Sequence, residues 1–179
     1  VMTETSIDTS ILTQLEFIRS YAEQHNNDKL LCTVYRNYAL YYFITKDKIA
    51  AITYFKNGID IAKKIDYLEN YFFSYKYHSV WFQNLSATLY KKTVLEIYRS
   101  YKKQTKEFST DQKRLLYYSL ARQEPDYKKK QIYLGQAFTF FDSDPTNYFI
   151  TNLYNLQTEI YFQLQQWELA KKNIDCLLY

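Results

Sequence analysis

The stretch of sequence that decides the fold is a polar break followed by a helical pattern, Lys46-Asp47-Lys48-Ile49-Ala50-Ala51-Ile52-Thr53-Tyr54-Phe55. Asp47 is a residue type that caps helix N-termini, because its carboxylate accepts hydrogen bonds from the first free backbone N–H groups. Similar breaks recur at residues 84–86, 124–126 and 165–166. The residues at the equivalent place are Asp47, Ser86, Asp126 and Gln166, separated by 39, 40 and 40 residues. The chain is therefore periodic. Asp and Ser are both good N-caps, so the first three of these residues are predicted to cap a helix.

A second set of polar breaks falls between the first, at residues 26–28, 64–66, 108–110 and 142–145. In the last of these, Asp144 can cap a helix and Pro145 can take its first position, where the missing N–H costs nothing. Each period then holds two antiparallel helices, called A and B here. We predict A helices near residues 29–44, 68–83, 111–122 and 146–164. We predict B helices near residues 47–63, 87–104, 127–141 and 167–178, and a further helix near residues 8–25 in the place of a B helix without its A partner.

The composition points to the all-α fold class. The 179 residues include 21 Tyr but only two Gly and two Pro, the residues that most often form the closely spaced turns of sheet folds. Apolar residues make up 47% of the chain, which excludes intrinsic disorder. The length fits one domain, so we predict a single helical repeat domain over residues 1–179.

Small and aromatic residues in two of the helix pairs resemble the tetratricopeptide repeat. The first pair carries Tyr35, Tyr38, Ala39, Tyr42, Ala51, Phe55 and Gly58, and the last carries Tyr154, Thr158, Tyr161, Trp167, Ala170 and Ile174. The middle pairs depart from the pattern, with Tyr90 and Lys130 where Ala51 and Ala170 sit, and the period exceeds the usual length of about 34 residues. The resemblance implies a right-handed α-solenoid of about four helix pairs, with the A helices lining its concave face.

The elongated repeats, rich in Tyr, Lys, Asn and Ile, also resemble the C-terminal sensor domains of Gram-positive peptide-pheromone regulators. In that family a helix-turn-helix domain precedes the repeats, and a short secreted peptide binds their concave face. The resemblance is one of overall character, since no stretch looks like a helix-turn-helix and the contact residues of that family cannot be mapped one by one. It implies a regulatory module that binds a peptide or protein partner.

Helix-A positions just beside the packing stripe are the ones that contact peptides in tetratricopeptide proteins. Asn and Gln side chains can donate to and accept from an extended backbone, and Arg36 or Arg122 can clamp a carboxylate. The alternative for each residue is ordinary helix surface. Carried over by position, the expected ligand-binding residues are Thr33, Arg36, Asn37, Phe43, Tyr75, Ser79, Phe82, Gln83, Gln112, Ser119, Arg122, Asn152, Asn155, Glu159 and Gln163.

The sequence shows no catalytic or metal-binding motif, so we expect neither an enzyme nor a cofactor. It has no glycine-rich phosphate loop, no paired-His helix motif and no nucleophile elbow. His25 lies in a polar turn and His78 lies among aromatic residues, which is typical of structural histidines. Asp142 and Asp144 belong to a predicted capping turn.

Nucleic-acid binding is a weaker alternative that rests on the segment from Lys91 to Lys106. Its basic residues alternate with Tyr90, Tyr98 and Tyr101, and phosphate neutralisation with base stacking uses such residues. The same pattern describes an amphipathic helix with its tyrosines in the core and its lysines in water. We favour that second interpretation, although the net charge of the chain is +4.

Two cysteines, Cys32 and Cys176, lie at opposite ends of the chain without metal-ligand spacing. We expect two buried, reduced thiols in a cytoplasmic protein, with a disulfide as the alternative. No apolar run approaches the roughly 20 residues of a membrane helix, and the first residues do not resemble a signal sequence.

The last predicted helix ends in apolar residues that one neighbouring helix cannot fully cover. Large exposed apolar patches generally mark an interface. We therefore expect either a fragment of a longer protein or self-association, as in a homodimer, and a structural or oligomerisation scaffold is the second functional hypothesis. The alternative is that the helix buries these side chains unaided. The expected interface residues are Ile174, Leu177, Leu178 and Tyr179.

Overall fold

The computed structural model describes residues 10–74, 79–104, 106–140 and 148–178, excepting the side chains of residues 79, 80, 148 and 178. Every helix or strand within these ranges is an α-helix, which confirms the predicted all-α class. The helices are α1 (Ser10–Gln24), α2 (Asp28–Ile44), α3 (Lys48–Lys64), α4 (Leu68–Phe73), α5 (Ser79–Leu85), α6 (Ala87–Lys102), α7 (Thr110–Gln123), α8 (Tyr127–Thr139), α9 (Tyr148–Gln163) and α10 (Trp167–Leu178).

One predicted helix differs from the structure. In place of a single A helix over residues 68–83, the structure has α4 and α5, and Ser74 lies in a turn after α4. The Ser74 hydroxyl donates a 2.8 Å hydrogen bond to the carbonyl oxygen of Tyr71. The hydroxyl thereby competes for a carbonyl oxygen that would accept a backbone N–H if the helix continued. The predicted start of the last A helix at Asp144 and Pro145 lies outside the described residues.

Four turns between consecutive helices have the same backbone geometry, and we call them the hairpin turns. In each, a residue other than glycine takes the left-handed conformation, and the next residue donates its N–H to the carbonyl oxygen five residues earlier. This is the Schellman arrangement, which satisfies free carbonyl groups at a helix C-terminus. The left-handed residues are Asn26, Lys46, Asp66 and Gln165, with φ of 48°, 66°, 54° and 58°. The closing bonds are Asn27 to Ala22 (2.8 Å), Asp47 to Tyr42 (2.8 Å), Tyr67 to Ala62 (2.6 Å) and Gln166 to Tyr161 (2.8 Å).

Side-chain caps begin the helices where the sequence predicts them. The Asp47 carboxylate accepts from the backbone N–H of Ala50 at 3.0 Å, and the Ser86 hydroxyl accepts from Leu89 at 3.3 Å. Asp126 accepts from two N–H groups in the first turn of α8. The three predicted caps are therefore confirmed, and each removes a free donor from a helix N-terminus.

The described residues form two compact units. The first contains α1 to α4 and residues 81–89, and within it α1 packs on α2, α2 on α3, and α3 on α4. Its aromatic core is built around Tyr54, whose ring stacks 4.6 Å from that of Tyr38 and 5.4 Å from that of Tyr42. The Tyr38 hydroxyl also donates to the Glu16 carboxylate at 2.9 Å, which ties α2 to α1.

The second unit contains most of α6 together with α7 to α10. Here α7 packs on α8, α8 on α9, and α9 on α10, so neighbours in sequence are again neighbours in space. Helix α7 is buried over residues 114–121, and Ala121, Ala137 and Ala170 have no exposed surface. Small residues at these contacts let the helices approach closely.

Within the ranges that the structure describes, none of the helices has both the length and the apolar character needed to cross a membrane.

Gly58 lies where α3 meets the Tyr71 side chain of α4 and leaves no room for a side chain of its own. A methyl group on its Cα would overlap the Tyr71 hydroxyl of α4 and would lie 2.9 Å from Cζ of that ring. The thiol of Cys32 in α2 donates to the Gly58 carbonyl oxygen at 3.6 Å. Helices α2 and α4 both contact α3 here, so the missing side chain at Gly58 is required for packing.

We expect Gly58→Ala to lower the free energy of unfolding by about 1–3 kcal/mol, because the added methyl displaces the Tyr71 ring from a filled site. Gly135→Ala in α8 is the matched control. Nothing lies within 4 Å of the methyl it would add, so the better helix propensity of Ala should raise stability by up to about 1 kcal/mol. Urea unfolding followed by circular dichroism measures both, and a Gly58→Ala variant as stable as the parent would contradict the packing described.

Candidate functional site

The predicted ligand-binding residues of α2 are half-buried, and two of them contact other helices. Arg36 donates from Nη1 to the Ser74 hydroxyl at 3.2 Å, which links α2 to the end of α4. The Phe43 ring meets Trp81 edge to face, with 4.6 Å between centroids. Thr33 donates to a carbonyl oxygen of its own helix, while Asn37 is also half-buried. Arg36 and Phe43 therefore take part in the packing of the first unit.

The two predicted residues of the second set whose side chains the structure describes, Phe82 and Gln83, do not form an exposed surface. Phe82 is only 5% exposed, and its ring packs 5.0 Å from that of Phe55, so it belongs to the core. Gln83 is half-buried. Tyr75 and the side chain of Ser79 lie outside the described residues.

Two of the ligand-binding residues predicted on α7 have structural positions, because Gln112 caps the helix and Ser119 is buried. The Gln112 carboxamide accepts from the backbone N–H of Ser109 at 2.9 Å, and the Ser109 hydroxyl accepts from Gln112 in return, which forms a capping box. Ser119 has no exposed surface, and Arg122 is half-buried. Because α7 is covered along most of its length, Ser119 does not present its hydroxyl to solvent.

Helix α9 is the element on which the predicted residues do form a continuous polar row. Spacings of three, four and four residues place them on one helical face, and all but the half-buried first member are exposed. Eleven residues at 1.5 Å each make the row about 16 Å long. We call it the α9 polar stripe, and it consists of Asn152, Asn155, Glu159 and Gln163.

The charged member of the stripe is held by an ion pair. Nζ of Lys130 in α8 lies 3.8 Å from the Glu159 carboxylate and 4.8 Å from the centroid of the Tyr127 ring. Lys130 is 8% exposed, so its hydrocarbon chain is buried and only its ammonium group reaches the surface. This residue, which departs from the small-residue pattern in the sequence, therefore orients Glu159.

The side of α9 next to the stripe fixes the helix in the second unit. Leu153, Leu156 and Ile160 are buried, and Gln157 accepts a 2.8 Å hydrogen bond from the Asn173 carboxamide of α10. The stripe is thus presented by a helix packed on both α8 and α10. Its amides can donate to and accept from a backbone, which is the chemistry that an extended peptide needs.

The segment proposed as a weaker nucleic-acid site is an amphipathic helix in the structure. Its lysines at 91, 92, 102 and 103 are exposed, whereas Tyr90 is 1% exposed. Tyr98 and Tyr101 both contact the ring of Tyr117 edge to face, at 6.4 Å and 6.1 Å. These tyrosines pack inside the second unit, which favours the interpretation that the lysines are a solvated helix face.

Several apolar side chains at the end of the second unit are exposed. Ile174 is 37% exposed and Leu177 is half-buried, while the Leu178 side chain and Tyr179 lie outside the described residues. Three side chains that were not expected here are more exposed, namely Phe162 (45%), Trp167 (57%) and Leu169 (45%). The Phe162 and Trp167 rings contact each other edge to face at 5.6 Å. Their pairing across the α9–α10 turn is a spatial feature that helical spacing does not reveal.

The two cysteines differ in environment, and one expectation was wrong. Both thiols are free, but only Cys32 is buried, whereas Cys176 is exposed. Helix α10 buries the face that carries Ala170 and Asn173, and Cys176 lies beside that face. Burial, with a smaller contribution from Asp28, raises the pKa of the Cys32 thiol to about 11.

We expect a thiol-alkylating reagent at pH 8 to modify Cys176 at least about a hundredfold faster than Cys32, because Cys32 is both inaccessible and protonated at that pH. Mass spectrometry of peptides from the labelled chain measures both rates. A Cys176→Ser variant should remain unlabelled until denaturant is added. Rapid labelling of native Cys176→Ser would contradict the burial of Cys32.

Among the residues that the structure describes, no group of three or more His, Cys, Asp or Glu side chains could hold a metal ion. Comparison with known protein families, curated proteins and solved structures finds no match to this chain.

Proposed function

We propose that the chain is a peptide- or protein-binding regulatory module, built as a right-handed α-solenoid of about four tetratricopeptide-like helix pairs. The observation that carries this proposal is the α9 polar stripe. Three of its four side chains are exposed on one face of a helix whose neighbouring face is buried. A packed helix presents polar groups in fixed positions, which lowers the entropic cost of binding.

The dimensions and chemistry of the stripe match an extended peptide. A row about 16 Å long spans roughly five residues of extended chain, at about 3.3 Å per residue. Asn155 and Gln163 each offer a carbonyl oxygen and two N–H donors, so they can pair with both kinds of backbone group. Glu159 adds an acceptor held by Lys130. We propose that the stripe binds the backbone of such a peptide.

The regulatory part of the proposal rests on the resemblance to peptide-pheromone sensor domains. In that setting the module is the sensor domain of a bacterial transcriptional regulator and acts in the cytoplasm. The succession of sequence neighbours packed as neighbours in each unit supports the repeat architecture that this role requires.

A structural or oligomerisation scaffold is the second candidate function, and one observation favours it. Trp167 and Ile174 lie seven residues apart on the same side of α10 and expose 57% and 37% of their surface, while Leu169, on another side of the helix, exposes 45%. Exposed large apolar side chains are a feature of interfaces. A single monomeric species in light scattering at high protein concentration would contradict this second role.

The first role can be tested by selecting peptides from a random unstructured library and measuring their dissociation constants by fluorescence polarisation. We expect Asn155→Ala/Gln163→Ala to weaken a selected peptide about tenfold or more, because each lost hydrogen bond contributes roughly 0.5–1.5 kcal/mol. Gln136→Ala, an exposed glutamine on α8, is the matched control and should leave affinity unchanged. Failure to select any peptide, or equal binding by the double variant and the control, would contradict the proposal.

A further inference from the structure

A cavity of about 470 Å³ lies in the second unit, where the end of α6 approaches the start of α7. Its size falls within the range of about 300–1,000 Å³ that is typical of small-ligand sites. The cavity shares no residue with the α9 polar stripe, so a ligand bound in it is independent of the peptide proposed for that stripe. It is lined by Tyr101, Gln104, Lys106, Glu107, Phe108 and Lys113.

Two aromatic side chains form the apolar part of the cavity lining. The rings of Tyr101 and Phe108 lie 5.2 Å apart and are inclined by 33°. Phe108 is 6% exposed, and Tyr101 is supported from behind by the ring of Tyr117 at 6.1 Å. Packed aromatic rings of this kind favour a planar partner, because offset stacking and edge contacts both stabilise ring pairs.

The rest of the lining is polar and carries a small positive charge. Lys106 and Lys113 contribute two positive charges and Glu107 one negative charge, which leaves a net charge of +1. Lys113 Nζ lies 5.6 Å from the centroid of the Phe140 ring, so its ammonium group has a defined position. Helix α7 begins at Thr110, and the positive end of its dipole lies beside the same lining.

We propose that this cavity binds a monoanionic aromatic carboxylate, either as a free small molecule or as the carboxyl-terminal aromatic residue of a peptide. The ring of the ligand packs against Tyr101 and Phe108, while its carboxylate pairs with Lys113 and Lys106. The Gln104 side chain provides a hydrogen bond to the polar end of the ligand. Glu107 disfavours a second negative charge, so the net lining charge suits a carboxylate better than a phosphate dianion.

The probes that test this proposal are N-acetyl-phenylalanine, its neutral amide and adenosine monophosphate, titrated into the whole chain by isothermal calorimetry. We expect saturable one-to-one binding of the acid, at least tenfold weaker binding of the amide, and no tighter binding of the nucleotide. Equal affinities of acid and amide, a preference for the nucleotide, or no saturable binding of the acid in the low millimolar range would each overturn the proposal.

Lysine-to-methionine variants test whether the acid binds in this cavity. Lys113→Met keeps the length of the side chain but removes its charge, and we expect it to weaken the acid about tenfold with little change for the amide. Lys106→Met is a second variant with the same expectation, in case Lys113→Met does not fold by circular dichroism. Lys171→Met, an exposed lysine on α10, is the matched control. Binding that is unchanged in Lys106→Met and in a folded Lys113→Met would place the ligand elsewhere and overturn the assignment.

A short peptide that ends in phenylalanine distinguishes the two possible sources of the ligand. Affinity for the free-acid peptide at least tenfold above that of N-acetyl-phenylalanine identifies a peptide terminus as the ligand. Equal or weaker affinity identifies a free aromatic carboxylate. A peptide amide that binds as tightly as the peptide acid would contradict both, because the proposal requires the carboxylate to pair with lysine.

Discussion

The backbone hydrogen bond that closes each hairpin turn is the interaction on which the rest of the structure depends. At Asp47 the N–H bonds to the Tyr42 carbonyl oxygen, and this is possible only because Lys46 takes a positive φ. This bond closes the end of α2. Its donor, Asp47, is also the side-chain cap at the start of α3. A turn of so few residues keeps the two helices close together, and α2 packs on α3. The stacking of Tyr54 on the tyrosines of α2 follows from that geometry.

A hairpin turn of the same kind also determines how α9, which carries the α9 polar stripe, is packed. The turn at Gln165 and Gln166 sets α10 against α9, and the hydrogen bond from Asn173 to Gln157 joins them farther along. The neighbouring side of α9 is buried, whereas Asn155 and Glu159 are exposed to solvent. The proposed peptide-binding surface is therefore a consequence of how the helices are packed.

The helix ends were predictable where they depend on local chemistry, as at Asp47 and Asp126, because a capping carboxylate acts on N–H groups only two or three residues away. The end of α4 at Ser74 was not, since a serine that bonds back to its own helix looks the same in sequence as one that does not. The residues of the α9 polar stripe were expected from their positions in the tetratricopeptide pattern, and their spacing places them on one side of the helix. The burial of Ser119 could not be predicted, because it depends on how α7 packs against other helices. The left-handed residues were also unforeseen, since glycine usually takes that conformation and both glycines of the chain lie inside helices.

The most direct test of the hairpin turns is to compare two lysine-to-glycine substitutions by urea unfolding. Lys46 has a φ of 66°, a conformation that costs an L-residue roughly 1–2 kcal/mol and glycine almost nothing. Lys56 is exposed in the middle of α3, where glycine costs about 1 kcal/mol. We expect Lys46→Gly to raise the free energy of unfolding by about 0.5–1 kcal/mol, after the greater flexibility of glycine in the unfolded chain is deducted, and Lys56→Gly to lower it. If Lys46→Gly destabilises the chain as much as Lys56→Gly does, residue 46 does not take the left-handed conformation and the hairpin turns are not closed as described.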